Sequence, residues 1–418
     1  LEGQRFSCAS CTRCCRDLVV HLFDADKRKI DQQGWHRELE TAPYVKLGAG
    51  FALNKRADGA CVFLDNDGKC RIHRRFGFNA KPLACRLYPF TLTRYAERWQ
   101  SGLRFDCPTA ARSGGAPLGQ HHAEVARIAA AVGDAVPLHA ERIELHKGIE
   151  GAREEVRCVI ESLEGWMQGS LGAAAELEHR LRCAAWVTEM LCRAKLTKVR
   201  GSRFAELVEL LVKGAPAELE DRSAEVAASR QRKLLRQAAF AYGETSSLEE
   251  MRLGAFGKAG LIWRQLRRSR RFGRGRGPFP LRGPSDRAEA TFERIEAVRP
   301  AAGEDAEPIA ELVARYVRHR LQTGGVAGEG YYGWPLFAGL QALWLSVIVI
   351  SWVARWNACE AGREALGFED VVAATGYVDR GAGRAPILGT SSQRIRIRYL
   401  TSDGGIQRLL DSYPLIVF

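Results

Sequence analysis

Eight of the twelve cysteines in this chain fall before residue 108: Cys8, Cys11, Cys14, Cys15, Cys61, Cys70, Cys85 and Cys107. The other four, Cys158, Cys183, Cys192 and Cys359, are scattered through helical patterns, where a thiol behaves as a small buried hydrophobe. Disulfides do not account for the clustered eight. A bridge across Cys8-x2-Cys11 would close a loop too short to restrict the unfolded chain much. Adjacent Cys14 and Cys15 cannot bridge each other without strain. A charged, cysteine-rich stretch stands where a secretory signal would be apolar, so a reducing, cytoplasmic setting is expected.

Metal ligation fits the spacing. In "CASCTRCC", Cys8-x2-Cys11-x2-Cys14 twice repeats the step that turns two thiolates onto one ion. It matches the first three ligands of bacterial ferredoxin loops, and Cys107-Pro108 echoes the fourth. Four thiolates also satisfy zinc, so spacing leaves the metal open. Neighbouring side chains diverge, so one of Cys14 and Cys15 faces a first centre and the other a second centre or the core. Downstream, Cys61–Leu64 reads as a short strand, 66–68 as a turn and 69–73 as a return strand carrying Cys70. Pro82 and Pro89 confine the segment around Cys85. His73, three residues after Cys70, reads as a surface or supporting histidine beside so many thiols.

These pieces, "FSCASCTRCCRD", "CVFLDNDGKCRIH" and "ACRLYPF" followed by Cys107, resemble the YkgJ-like CxxCxxCC family of zinc- or iron-chelating domains. The resemblance covers roughly residues 5–110 and implies that all eight cysteines are metal ligands. It extends distantly to flagellin lysine-N-methylases, which implies a four-iron (4Fe-4S) cluster, S-adenosylmethionine and methyl transfer to a protein nitrogen. The pattern departs from the Cys-x3-Cys-x2-Cys of radical S-adenosylmethionine enzymes. A non-catalytic module stapled by zinc or a cluster is the alternative. No P-loop, His-Glu-x-x-His or strand-linked Gly-x-Gly-x-x-Gly is present, and "FGRGRG" has the wrong spacing.

The expected fold is mainly α. A small irregular cysteine-rich module with a short hairpin (1–112) precedes a helical domain (113–266), an Arg/Gly/Pro-rich linker or loop (267–290) and a helical C-terminal part (291–418). Residues 111–118 read as a linker. Helical spacing joins Leu177, Leu181, Ala184, Ala185, Thr188 and Leu191, and later Ile309, Leu312, Val313, Tyr316 and Val317. Ser202 offers an N-cap and Gly214 a stop. Gly330 to Ala354 carries no charge and is long enough to cross a bilayer. Its Gln341, Ser346 and Ser351 favour a helix buried in protein over membrane association. "RIRIRYL" alternates with period two and reads as a small terminal strand. The net charge of +13 suits an acidic partner or protein substrate; nucleic acid is the weaker expectation, because arginine is spread along the chain. Substrate and cluster are expected to meet where the module joins the helical domain.

Overall fold

Short elements crowd the first 136 residues and long helices fill the rest. The computed structural model describes residues 3–95, 98–133, 136, 142–168, 174–220, 222–276 and 290–417. Two units divide the chain. One gathers Leu1–Leu92, Ser101–Val136 and Ser246–Arg264; the other gathers Thr93–Gln100, Pro137–Thr245 and Gln265–Phe418. The protein is mainly α, with a small mixed module at its N-terminus, as its patterning predicts.

In the first unit, β1 (Arg5–Phe6) is followed by α1 (Arg13–Asp17), β2 (His21–Leu22), α2 (Asp24–Gln32), β3 (Tyr44–Leu47) and β4 (Gly50–Leu53). β2 and β3 flank β4 in an antiparallel sheet, with Val45 opposite Ala52. Against it pack Ile30, Trp35, Phe63 and Ile72, and the thiols of Cys15, Cys70 and Cys85 border the same apolar cluster. Then come α3 (Arg71–Phe76), α4 (Leu83–Leu87), β5 (Phe90–Tyr95) and β6 (Arg98–Leu103), of which Thr93–Gln100 belongs to the second unit, and α5 (Pro108–Ala111), β7 (Ala116–Pro117) and α6 (His122–Val132). A second small core joins Phe6, Phe90, Leu103, Cys107 and Val125.

Two expectations for this part are corrected. The hairpin across 61–73 shrinks to one bridge, Leu64 to Cys70, around a turn in which Lys69 N donates to Asp65 Oδ1 at 2.7 Å. The expected return strand is helix α3, because Cys70 already has extended backbone and stands as its N-cap. The stretch 111–118 is no free linker. β7 pairs antiparallel with β1, Ser7 N donates to Gly114 O at 3.0 Å, and the unit runs past the boundary expected at residue 112. Gly115 permits this closure. Its φ is +105°, and a Cβ there would lie 2.5 Å from the Ser7 backbone nitrogen.

The second unit holds the hairpin β8 (Ile143–His146) and β9 (Ile149–Gly151), then α7 (Arg153–Trp166), α8 (Ala174–Arg193), α9 (Ser202–Glu220) and α10 (Ser229–Gly243). Helix α9 starts at Ser202 but continues through Gly214 and Pro216, so Gly214 is not its stop. Burial of Phe204, Val208 and Ala215 along one face outweighs the poor helix propensity of those two residues. Helix α11 (Leu248–Met251) and α12 (Ala255–Arg274) as far as Arg264 belong to the first unit, and the rest of α12 absorbs the first part of the Arg-rich run expected to be a linker. Residues 277–289 of that run lie outside the described residues.

Next come α13 (Phe292–Ala297), α14 (Ala306–Gln322), α15 (Leu336–Glu360), α16 (Phe368–Gly381), α17 (Ser391–Thr401) and α18 (Gly405–Ser412). The buried face of α14 includes Ile309, Leu312, Val313, Tyr316 and Val317. Helix α15 is apolar all round and enclosed by protein; 89% of its most apolar window is buried. Its polar side chains are mostly satisfied internally. Ser346 Oγ donates to Leu343 O at 2.6 Å and Ser351 Oγ to Tyr413 O at 2.8 Å, while Trp344 Nε1 donates to Thr188 Oγ1 at 2.8 Å. The expected terminal strand "RIRIRYL" is instead helix α17. Its buried positions Gln393, Ile397, Leu400 and Thr401 follow a helical period, whereas Ile395 and Tyr399 face solvent.

Candidate metal centre

Four short helices present their first turns with a cysteine at or just inside them. Cys14 and Cys15 are the second and third residues of α1, and Cys85 is the third of α4. Cys70 is the N-cap of α3, and Cys107 is the N-cap of α5, with Pro108 pre-setting the first helical φ. The free N–H groups of a first turn favour negative charge, which is what a ligating thiolate carries. The chain reaches these positions through unusual backbone: Ser10 and Thr12, both non-glycine, have φ of 52° and 62°. Cys8 and Cys11 lie in this loop and are exposed.

Seven of the eight thiols, those of Cys8, Cys11, Cys14, Cys15, Cys70, Cys85 and Cys107, line one cavity of about 480 Å³. Cys61 is not on its wall. It is buried in the apolar cluster behind, where Cys61 N donates to Cys15 O at 2.9 Å. Among the described residues, no group of three or more His, Cys, Asp or Glu side chains stands together as a ready metal site. The thiols surround the space rather than converge on one point. Their protonation fits this open arrangement. A hydrogen bond with Cys15, then burial, pushes the Cys14 thiol far up. Burial pushes Cys61 up to about 11 and Cys85 higher still. Burial also pushes Cys107 up to about 11, against the amides of Ala110 and Thr109, which favour its anion. A cation is what reverses such shifts, because a coordinated thiol is deprotonated outright. Lys81 lines the cavity and favours the anionic forms of Cys14 and Cys85.

Several wall residues carried no sequence signal. Tyr88 is one; its hydroxyl donates to Asp106 Oδ1 at 3.2 Å, and Asp106 pairs with Arg104. Lys81, Arg13 and Arg74 add positive charge beside the thiols, and exposed His73 stands on the rim with them. Arg86, next to Cys85 in sequence, does not line the cavity. Helix α4 is fixed from outside: Pro82 offers it no side-chain cap, and Leu83 N donates instead to both oxygens of buried Asp26, at 3.1 Å each.

Seven thiols on one cavity wall are soft donors, and a donor set of this kind suits zinc or iron–sulfur chemistry over hard cations. Residues 7–105 match the sequence model of the CxxCxxCC family, described as a "Putative zinc- or iron-chelating domain". The match takes in seven of the eight cysteines and ends two residues before Cys107, which joins the others by lining their cavity. No curated protein and no solved structure matches the chain.

Proposed function

We propose that the N-terminal unit binds an iron–sulfur centre, of the four-iron, four-sulfide kind, through its clustered thiols. The observation that carries this reading is the single cavity of about 480 Å³ walled by seven cysteines. One zinc ion takes four thiolates at about 2.3 Å and needs neither that much sulfur nor that much room. A cluster bound there would supply electron transfer and an iron able to accept a further ligand. The first-turn amides of α1, α3, α4 and α5, with Lys81, would offset its negative charge.

The test is purification without oxygen, followed by analysis of iron, zinc and acid-labile sulfide. Brown protein with iron and sulfide in equal amounts supports the cluster. Colourless protein with stoichiometric zinc and no sulfide moves the centre to zinc. Metal-free protein with unchanged melting overturns both.

For the activity, the reading is S-adenosylmethionine-dependent methylation of a protein nitrogen. Its support is the resemblance of the cysteine pattern to the flagellin lysine-N-methylases. Titration of S-adenosylmethionine into the loaded full-length protein, repeated with Cys11→Ala, tests it. Binding only in the loaded protein supports the enzyme, and binding in both forms places the site elsewhere. Absence of binding leaves a metal-stapled protein that recognises an acidic partner, a reading the net charge of +13 favours.

A further inference from the structure

A second cavity, of about 350 Å³, lies wholly within the second unit. Four elements meet around it: the turn between β8 and β9, the C-terminal end of α8, the first turns of α15, and α17. The end of β8 contributes His146 and the turn Lys147, and α17 contributes Arg394 and Arg398, one helical turn apart. Arg193 also lines the cavity but is held by Glu189 and Asp403. Among the described residues, Lys147, Arg394 and Arg398 have no carboxylate within ion-pair distance. Three exposed cations without acidic partners on one concave wall give it a positive potential that favours an anion seated between them.

Two further observations point the same way. The first turn of α15 opens at this wall through Pro335 and Ala338, and its N-cap supplies no side-chain acceptor. The positive end of a 25-residue helix therefore lies at the cavity wall. Gln341, one turn further along α15, also lines it. This residue is 8% exposed, and its amide has no hydrogen-bond partner among the described residues. With no protein partner, this amide keeps its contact with solvent through the cavity, where a bound ligand would meet it. Pro335, Ala338 and Ile397 give the wall apolar surface, and Ile395, though mostly exposed to solvent, borders it.

We infer that this cavity binds a small organic anion, with its acidic head on Lys147, Arg394, Arg398 and the start of α15 and its apolar body against Ile395 and Ile397. The head is a phosphate monoester or a carboxylate, since an arginine fork accepts either in bidentate fashion. The volume suits a small molecule and not a folded partner. The site shares no residue with the cysteine-lined cavity and is independent of any metal bound there.

The experiment is calorimetric titration of phenyl phosphate into the full-length protein, with benzoate and inorganic phosphate as separate arms. One phenyl phosphate or one benzoate per chain is expected, and the tighter of the two identifies the head group. Affinity is expected to fall at least about tenfold in Arg394→Gln and in Arg398→Gln, to fall with added salt, and to weaken several-fold in Gln341→Leu. Inorganic phosphate binding as tightly as phenyl phosphate overturns the organic ligand. Absence of binding in all three arms, or binding unchanged in both arginine variants, overturns the site. Where an α17 variant melts early, Lys147→Gln in the exposed turn carries the same comparison.

Discussion

Glu155 is 5% exposed, yet it is held as an anion by what surrounds it. Arg200 reaches both of its oxygens, and the backbone amides of Gly201 and Ala152 donate to it at 2.9 Å each. The Arg200 hydrogen bonds come first in lowering its pKa to about 2, from an ordinary 4.5, with burial opposing them. The sign follows from linkage. A carboxyl lowered in the folded state adds stability above its unfolded pKa and loses it as pH falls through the folded value. The protein is therefore expected to lose on the order of 2 kcal/mol from this one group between about pH 4.5 and pH 2. In Glu155→Gln that part of the acid limb should flatten, with lower stability at pH 7. Urea unfolding at a series of pH values checks both. An acid limb of unchanged slope in the variant would remove Glu155 from the account.

Helix α4 has only five residues and cannot stand on its own hydrogen bonds. Asp26, on α2, caps it across a gap of 57 residues, and this contact presents Cys85 to the cavity. Asp26→Ala leaves the Leu83 amide without its acceptor and should cost about 1–2 kcal/mol. Because the loss falls on the element that carries a thiol, metal retained per chain after dialysis against a chelator should drop with it. Retention equal to wild type, at reduced melting temperature, would separate the cap from the site. The cysteine pattern was readable in the sequence because Cys-x2-Cys is a local geometry that needs no knowledge of the rest of the fold. The cap was not, since nothing in "DADKRK" marks Asp26 as the partner of a helix so far ahead. "RIRIRYL" misled for a related reason. Its alternation scores one face of a strand, but its own Leu400 and its neighbours Gln393 and Thr401 complete a helical face that only α15 and its surroundings make apolar. The anion cavity was illegible for the same cause: its wall runs from His146 to Ser402, and no window of sequence contains it.

The second unit is organised around α15, and its tolerance of substitution should be graded by distance from that helix. A Cβ at Gly339 would lie 1.6 Å from the backbone oxygen of Val326, so neither chain can yield cheaply. Gly339→Ala is expected to destabilise by about 3 kcal/mol or more. Gly214 in α9 has nothing within 4 Å of where its Cβ would be, so Gly214→Ala should stabilise by about 0.5–1 kcal/mol through helix propensity. Guanidinium unfolding of the pair reads both, and a similar effect at the two sites would contradict the packing described for α15. The position of this helix in the chain also sets a timetable. Residues 336–360 leave the ribosome long after α8, whose apolar side they cover. At roughly 5–20 residues per second, α8 spends on the order of ten to thirty seconds in the cell before its partner exists. During that interval the nascent chain is a client for holdase chaperones. A stalled or truncated product ending before residue 336 should be recovered with them, or as aggregate, while the full-length chain is released.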